Sequence, residues 1–373
     1  MFKKIKPNFT VQKNFNILCN CMKILGTWPV HRRHNKIFTC LNHSLWWFYV
    51  VNHMMLLLPT MQTFYNTTKD IISASYSLIE ITGIVESMVI LITFKLQGSR
   101  IQLLLQIIKN QIVVKKPKPA LNNRNVHASV FAIIAVLYVI VVYMYIHKPA
   151  TLINKGFIMT TCYAFPTEDI RTKIAIYCNQ LIALMHTSVV LVTDGVAVLF
   201  IYTCAIKLKT LEIRLKKAPD WTKLKYDIAE HQTILLVIEE TNSLAGVLVV
   251  KTVICFMCYS ISAGVQIINQ HVVTAQMLHQ FIIIAIVYLR IYICAETAEM
   301  LLTVNGDMLF TVYSIAFSTP NIVKVKSLII MRCQKVPKIY VNGLMAALNR
   351  AYLRSISYAT FSYFMTIRAI VSK

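Results

Sequence analysis

Seven apolar runs, each about as long as a bilayer is thick, constrain this chain more than any other feature. They lie at about residues 39–61, 71–94, 127–146, 174–203, 243–268, 278–301 and 346–371. A helix needs roughly 20 mostly apolar residues to cross the hydrocarbon core. The stretch from Val130 to Ile146 holds no charge at all. No water is present in lipid to satisfy backbone N–H and C=O groups, so such runs must be helical. Only 14% of the residues are charged, against about 25% in a soluble domain. The expected fold is an all-α membrane protein with seven transmembrane helices.

The net charge of +23 is large enough to suggest nucleic acid, but its placement points to a membrane instead. Alternate segments between the runs collect the bases. Residues 1–38, 95–124, 204–241 and 302–341 hold twenty-seven Lys and Arg, whereas the three opposite loops hold five. That is a strong positive-inside bias. With seven spans it predicts a cytoplasmic N-terminus and an extracellular C-terminus, the reverse of a G-protein-coupled receptor. Residues 1–38 show a basic character but no apolar core with a small-residue cleavage site, so the first span is expected to serve as the insertion signal. No nucleic-acid partner is expected.

The segments between the runs differ in kind. Lys115-Lys116-Pro117-Lys118-Pro119 reads as a stiff basic linker. Residues 147–173 read as an outer loop able to fold over the helix ends. Residues 204–241 mix bases with acids at helical apolar spacing, as expected of cytoplasmic extensions of spans four and five broken near Pro219. Residues 302–341 read as short helices broken at Pro320 and Pro337. No internal repeat is evident, which weakens a transporter reading.

Catalytic and cofactor motifs are missing: there is no phosphate loop, G-x-S-x-G or H-E-x-x-H. His31 and His34 flank two arginines and read as membrane-surface charge. The chain is therefore not expected to be an enzyme, and no cofactor is expected. Its ten cysteines make no disulfide framework or zinc spacing. Cys162 and Cys178 both fall on the outer side, where pairing is conceivable. Asn66-Thr67-Thr68 is a glycosylation sequon in the first outer loop.

Two patterns suggest a function. In the last span, Ser355, Ala359, Ser362, Thr366 and Ile370 fall on one stripe at about 100° per residue, with Phe361 and Phe364 opposite. A stripe of small and hydroxylated residues fits either close helix packing or a hydrated pore lining, and the latter requires an oligomer. The second pattern lies in the outer halves of spans two, three, four and six. It comprises Ser73, Tyr76, Ser77 and Glu80; Tyr138, Val141, Val142 and Tyr145; Asn179, Ala183 and His186; and Phe281, Ala285 and Tyr288. Converging, these faces make either an apolar, aromatic cavity with a few polar groups, the usual make-up of a small-molecule site, or a packed bundle core. Glu80, Glu86, His186, Asp194 and Arg290 are ionisable residues within spans, where charge is costly and often functional. Asp194 and Arg290 are candidates to pair. Glu296 and Glu299 fall at the hydrated inner end of span six.

The chain resembles the insect odorant-receptor family. The resemblance is carried by Val312-Tyr313, by Arg332-Cys333-Gln334-Lys335-Val336-Pro337, and above all by Ser357-Tyr358-Ala359-Thr360-Phe361-Ser362-Tyr363-Phe364-Met365-Thr366-Ile367-Arg368. Gly26-Thr27-Trp28-Pro29 looks like the N-terminal pattern of many such receptors. The related gustatory receptors end in T-Y, five residues, then Q-F. Here Ser362-Tyr363 is followed after five residues by Ala369-Ile370, a departure that favours the odorant branch. The short loop between spans four and five looks like that of a tuning subunit.

The resemblance implies an odorant-binding subunit of an odorant-gated, non-selective cation channel, assembled as a heterotetramer with the olfactory coreceptor. It implies a location in the plasma membrane, in dendrites of olfactory sensory neurons. The implied plan divides the chain into residues 1–38, a cytoplasmic segment; 39–301, a six-helix bundle with the odorant pocket in its outer half; 302–341, a cytoplasmic anchor; and 342–373, the pore-lining helix with a short extracellular end. Gate positions map onto Thr366 and Ile370, with Ala369 adjacent. The implied partners are the coreceptor, a small volatile odorant, the lipid bilayer and permeating cations. A gustatory-type channel and a G-protein-coupled receptor are the alternatives.

Overall fold

A computed structural model of the chain describes residues 9–29, 36–114, 124–146, 157–216, 221–268, 275–314, 327, 329–334, 338–340 and 347–371. These residues are almost all helical. We name the helices α1 (Phe9–Ile24), α2 (Lys36–Asn66), α3 (Ile71–Leu96), α4 (Gly98–Val114), α5 (Arg124–Ile146), α6 (Ile170–His186), α7 (Val189–Leu215), α8 (Trp221–Ile268), α9 (Ala275–Ser314) and α10 (Arg350–Val371). A helical turn covers 329–334, and Tyr340 bridges Ala347.

All seven apolar runs fall on these helices. Four helical stretches are long and apolar enough to cross a membrane by length and composition: Ile71–Leu96, Ile170–Leu215, Lys225–Ile268 and Met277–Ser314. Val130–Ile146 is apolar but shorter. The architecture is that of a multi-pass membrane protein. Span four is made of two helices, with Thr187 and Ser188 between α6 and α7. The 48 residues of α8 and the 40 of α9 rise about 72 and 60 Å, roughly twice the hydrocarbon thickness. Both therefore run well beyond a bilayer.

Helix α7 forms the centre, packed on α8, α9, α3 and α1. Its buried residues include Val196, Phe200, Ile201, Leu208, Leu211 and Leu215, which face neighbours on more than one side.

Three helical features add detail to the expected plan. Within residues 1–38, α1 is part of the bundle. Phe15, Cys19, Met22 and Leu25 are buried in its core, a helical spacing that lays one face on α7. The turn after α1 needs Gly26, whose φ is +69° and where a Cβ would stand 3.3 Å from the Trp46 backbone nitrogen. The basic loop after span two is instead largely helix α4, which buries Ile101, Leu104, Leu105 and Ile108 at helical spacing. Finally, α9 passes residue 301 without a break, its buried side continuing through Leu301, Val304, Met308 and Val312.

The extensions of spans four and five are present, with α7 ending at Leu215 and α8 starting at Trp221. Pro219, Pro320, Pro337, the 115–119 linker, His31 and His34 lie outside the described residues. Cys162, Cys178, Cys255 and Cys258 are all free thiols.

On α10 the buried face is Leu353, Ile356 and Thr360. Phe364 meets α8 at Gly264, where a Cβ would stand 2.6 Å from the ring. The stripe Ser355, Ala359, Ser362 and Thr366 is exposed, as is Ala369. Among the described residues no helix buries this stripe. The side chains of Arg368 and Ile370 lie outside the described residues.

Candidate functional site

A cavity of about 120 Å³ lies between α3, α5, α6, α7, α8 and α9. Its walls are mainly aliphatic: Ile79, Ile84, Val141, Leu184, Val190, Leu191, Ile283, Ile286 and Val287, with Gly83, Met159, Ala183 and Thr187. Three phenols, Tyr138, Tyr145 and Tyr259, also line it. Its ionisable lining residues are Glu80, Glu86 and Arg290. A concave, apolar site with a few placed polar groups is what a small ligand requires.

The phenols are placed by named neighbours. The Tyr138 hydroxyl donates to the Leu184 carbonyl at 2.8 Å and lies 2.6 Å from Thr187 Oγ1, at the junction of α6 and α7. The Tyr145 ring meets His279 edge-on at 4.8 Å between centroids. Gly83 leaves room for the Tyr259 hydroxyl, which a Cβ there would approach to 3.0 Å.

The segment after the undescribed residues 147–156 folds over one end of the cavity. Phe157, Ile158, Met159, Thr160 and Thr161 are buried. Glu80 Oε2 accepts the Thr160 N–H at 2.9 Å and its hydroxyl at 2.5 Å. Gln180 accepts the Met159 N–H at 3.0 Å and donates to Thr161 Oγ1 at 2.9 Å. Such paired groups satisfy a backbone that has no helix of its own.

The opposite end is a buried cluster of four charges. Arg290 Nε donates to Asp194 Oδ2 at 2.6 Å, and its Nη2 donates to Glu86 Oε1 at 2.5 Å. Lys251 Nζ donates to Glu86 Oε1 at 2.9 Å and Asp194 Oδ1 at 3.2 Å. Four helices, α3, α7, α8 and α9, thus meet on two carboxylates and two cations, and the charges sum to zero. The pairing of Asp194 with Arg290 is as expected. Lys251 was missed, although it is the one charged residue in the run 243–268.

Of the residues expected to line a pocket, Glu80, Tyr138, Val141, Tyr145 and Ala183 line this cavity. The others do not. Ser73 donates to Asp70 and Ser77 to the Ser73 carbonyl, so both serve the start of α3. Tyr76 is half-buried off the cavity, and Val142 packs in the core with Leu56 and Ile158. Asn179 donates to Asn52 Oδ1 at 2.7 Å. His186 pairs with His53 at 2.8 Å, and its Nε2 lies 3.2 Å from the Leu25 carbonyl. Phe281 and Tyr288 are exposed and Ala285 is half-exposed; the lining face of α9 is Ile283, Ile286, Val287 and Arg290. Span six is apolar all round, so its periodicity carries no phase, and packing against α7 and α8 selects the face. Asn66 is exposed at the end of α2. Glu296 is not merely hydrated: Arg350 donates to both of its oxygens, at 2.7 and 2.5 Å, and so joins α9 to α10. Among the described residues no group of three or more His, Cys, Asp or Glu stands ready to hold a metal ion.

No family model matches the chain, and no curated protein matches its sequence. Solved structures do match its fold. The insect olfactory receptor OR5 from Machilis hrabei in complex with eugenol aligns with a TM-score of 0.78 at 13% identity, covering 97% of this chain and 99% of the receptor. The structure of the same receptor described without a ligand gives a TM-score of 0.78 and 13% identity over 96% of this chain and 98% of the receptor. Over nearly its whole length, the chain has the fold of the insect olfactory receptors.

Proposed function

We propose that this chain is an insect odorant receptor, the odorant-binding subunit of an odorant-gated, non-selective cation channel formed as a heterotetramer with an olfactory coreceptor. The observation that carries this reading is the apolar, phenol-lined cavity at the centre of an olfactory-receptor fold. An entering odorant shifts the channel toward its open state only by binding that state more tightly.

In this reading all seven apolar runs span, the N-terminus is cytoplasmic and the C-terminus extracellular, in the plasma membrane of sensory-neuron dendrites. Residues 1–38 and 302–341 lie on the cytoplasmic side, 39–301 carry the bundle, and 342–373 carry the pore helix. The exposure of Ser355, Ala359, Ser362, Thr366 and Ala369 supports a role for that face of α10 at a shared axis. Thr366 and Ile370 are the proposed gate positions.

The test is co-expression with a coreceptor and recording of currents under a chemically diverse odorant panel that includes eugenol. Odorant-evoked cation currents are expected. A complex that reaches the surface yet conducts under no odorant overturns the reading. An N-terminal tag stained without permeabilisation overturns the orientation.

A further inference from the structure

Three of the chain's four tryptophans gather at one corner of the bundle. Asn42 of α2 donates to the Trp28 carbonyl at 3.2 Å, and a Cβ on Gly26 would stand 3.3 Å from the Trp46 backbone nitrogen. Trp46 Nε1 donates to the Leu91 carbonyl of α3 at 3.0 Å, and the Trp47 ring meets Trp46 edge-on at 4.8 Å between centroids. A Cβ on Gly98, the first residue of α4, would stand 3.7 Å from Pro29. The turn after α1, the first part of α2, the end of α3 and the start of α4 thus converge here.

Two lysines stand on these rings. Lys23 Nζ lies 5.1 Å from the Trp28 centroid, and Lys95 Nζ lies 5.4 Å from that of Trp46. Lys95 also donates to His43 Nδ1 at 2.7 Å, which leaves the proton of the neutral imidazole on Nε2. An ammonium has three N–H donors, so Lys95 keeps donors beyond this bond. Lys23, His43 and Lys95 are all exposed. Among the described residues neither lysine pairs with a carboxylate. The converging segments have none to offer, because no acid precedes Asp70 and none lies between Glu86 and Glu168. Beside the lysines, Leu41, Phe48, Ile92 and Leu96 are exposed apolar side chains. An occupant that suits this corner carries an anionic group with hydrocarbon next to it. An acidic phospholipid has that make-up, and such lipids concentrate in the cytoplasmic leaflet. Tryptophan rings and lysine ammonium groups at span ends also sit at headgroup level.

Resting on the membrane orientation proposed above, we propose that this corner binds an anionic phospholipid of the cytoplasmic leaflet. The lipid phosphate accepts N–H groups from Lys95 and His43, Lys23 adds a second positive charge at the same corner, and the acyl chains lie along Phe48, Ile92 and Leu96.

The test uses the tryptophans as reporters. The full-length protein is placed in phosphatidylcholine vesicles, and equal fractions of the lipid are replaced by acyl-brominated phosphatidylserine or, in a second series, acyl-brominated phosphatidylcholine. Bromine quenches indole fluorescence on contact, so quenching measures which lipid sits at the corner. Phosphatidylserine is expected to be preferred about fivefold or more, the contribution of one lysine near a charged membrane surface. Lys95→Gln should bring the preference to within twofold, and Lys95→Arg should retain it. Lys216→Gln removes an equal charge from an exposed lysine that pairs with Glu212 at 2.7 Å, and it should change nothing. Equal quenching by the two lipids overturns the proposal. So does an undiminished preference in Lys95→Gln, or an equal loss in Lys216→Gln, which would mark general surface charge. If Lys95→Gln does not fold, Lys23→Gln takes its place, with a several-fold loss expected and no loss overturning the site. Both leaflets of these vesicles have the same composition, so the result does not depend on which way the chain faces. A misplaced N-terminus or an absent odorant current defeats the orientation or the channel reading, whereas an absent lipid preference defeats this proposal.

Discussion

Arg290 Nε lies 2.6 Å from Asp194 Oδ2, tying α9 to α7 deep inside the bundle. Their exposures are 3% and 2%, so neither charge has water to turn to. Each is tolerable because the other is there, and because Lys251 and Glu86 complete a neutral set.

Removing one member is expected to be far worse than removing two of opposite sign. Asp194→Leu leaves an excess cation buried among apolar helices, and breaking a buried pair in this way costs about 3–5 kcal/mol. Asp194→Asn with Lys251→Met restores neutrality and should recover much of that loss. Thermal unfolding of the single and double variants measures the difference. Equal stability in both would show that the charges are not coupled.

Gly83 sets the reach of the Tyr259 hydroxyl into the cavity. Gly83→Ala puts a methyl group 3.0 Å from it, so the cavity narrows or the phenol moves. The helix itself should tolerate the change, since Ala favours helix over Gly by about 1 kcal/mol. The expected result is normal expression with weaker responses to the larger agonists and unchanged responses to smaller homologues. One methylene in an apolar pocket is worth about 1–3 kcal/mol. Dose–response curves across a homologous odorant series check this.

Phe364 of α10 seats on Gly264 of α8, with 2.6 Å between its ring and a built Cβ. Gly264→Ala must therefore displace the ring and, with it, the proposed pore helix. Altered basal leak or weakened gating is the expected outcome, with recovery in Gly264→Ala combined with Phe364→Leu. A Gly264→Ala channel with unchanged leak and gating would show that this contact does not position α10.

Glu80 fastens the segment that covers the cavity. Glu80→Gln replaces a carboxylate acceptor by an amide and weakens both bonds from Thr160. Hydrogen exchange at residues 157–162 should quicken, while exchange in α7 stays unchanged. Equal protection in both proteins would place the latch elsewhere.

His231 lies on the part of α8 that precedes the apolar run 243–268, outside the span. Burial, with Arg332 nearby, pushes its imidazole down from 6.5 to about 4. The unfolded chain binds the proton below about 6.5, whereas the folded protein does so only near 4. This term therefore leaves stability intact at neutral pH, lowers it as pH falls from 6.5 to 4, and flattens below that. A full shift of this size is on the order of 3 kcal/mol. His231→Gln should flatten that part of the curve, which melting temperatures between pH 7 and 4 would reveal.

The helical character was legible because lipid requires long apolar runs to be helices, and those at 71–94 and 278–301 lie on helices long and apolar enough to cross a membrane. That Tyr138, Val141 and Tyr145 share one face was legible from helix periodicity, whereas their meeting with Ala183 of α6 depended on packing. Helix α1 was harder to see. Lys13 and Lys23 dilute its apolar face, and nothing local tells a tail from a helix that docks.

The sequence alone determined that this chain is a bundle of apolar helices, since the backbone must satisfy its own hydrogen bonds in lipid. Tertiary structure alone decided which face of α9 lines the cavity, because a helix apolar on every side has no preferred face until its neighbours are in place. It also decided the meaning of Lys251. As one base in an apolar run it reads as an anomaly, and it becomes tolerable only where α3 and α7 bring Glu86 and Asp194 within reach of its ammonium group.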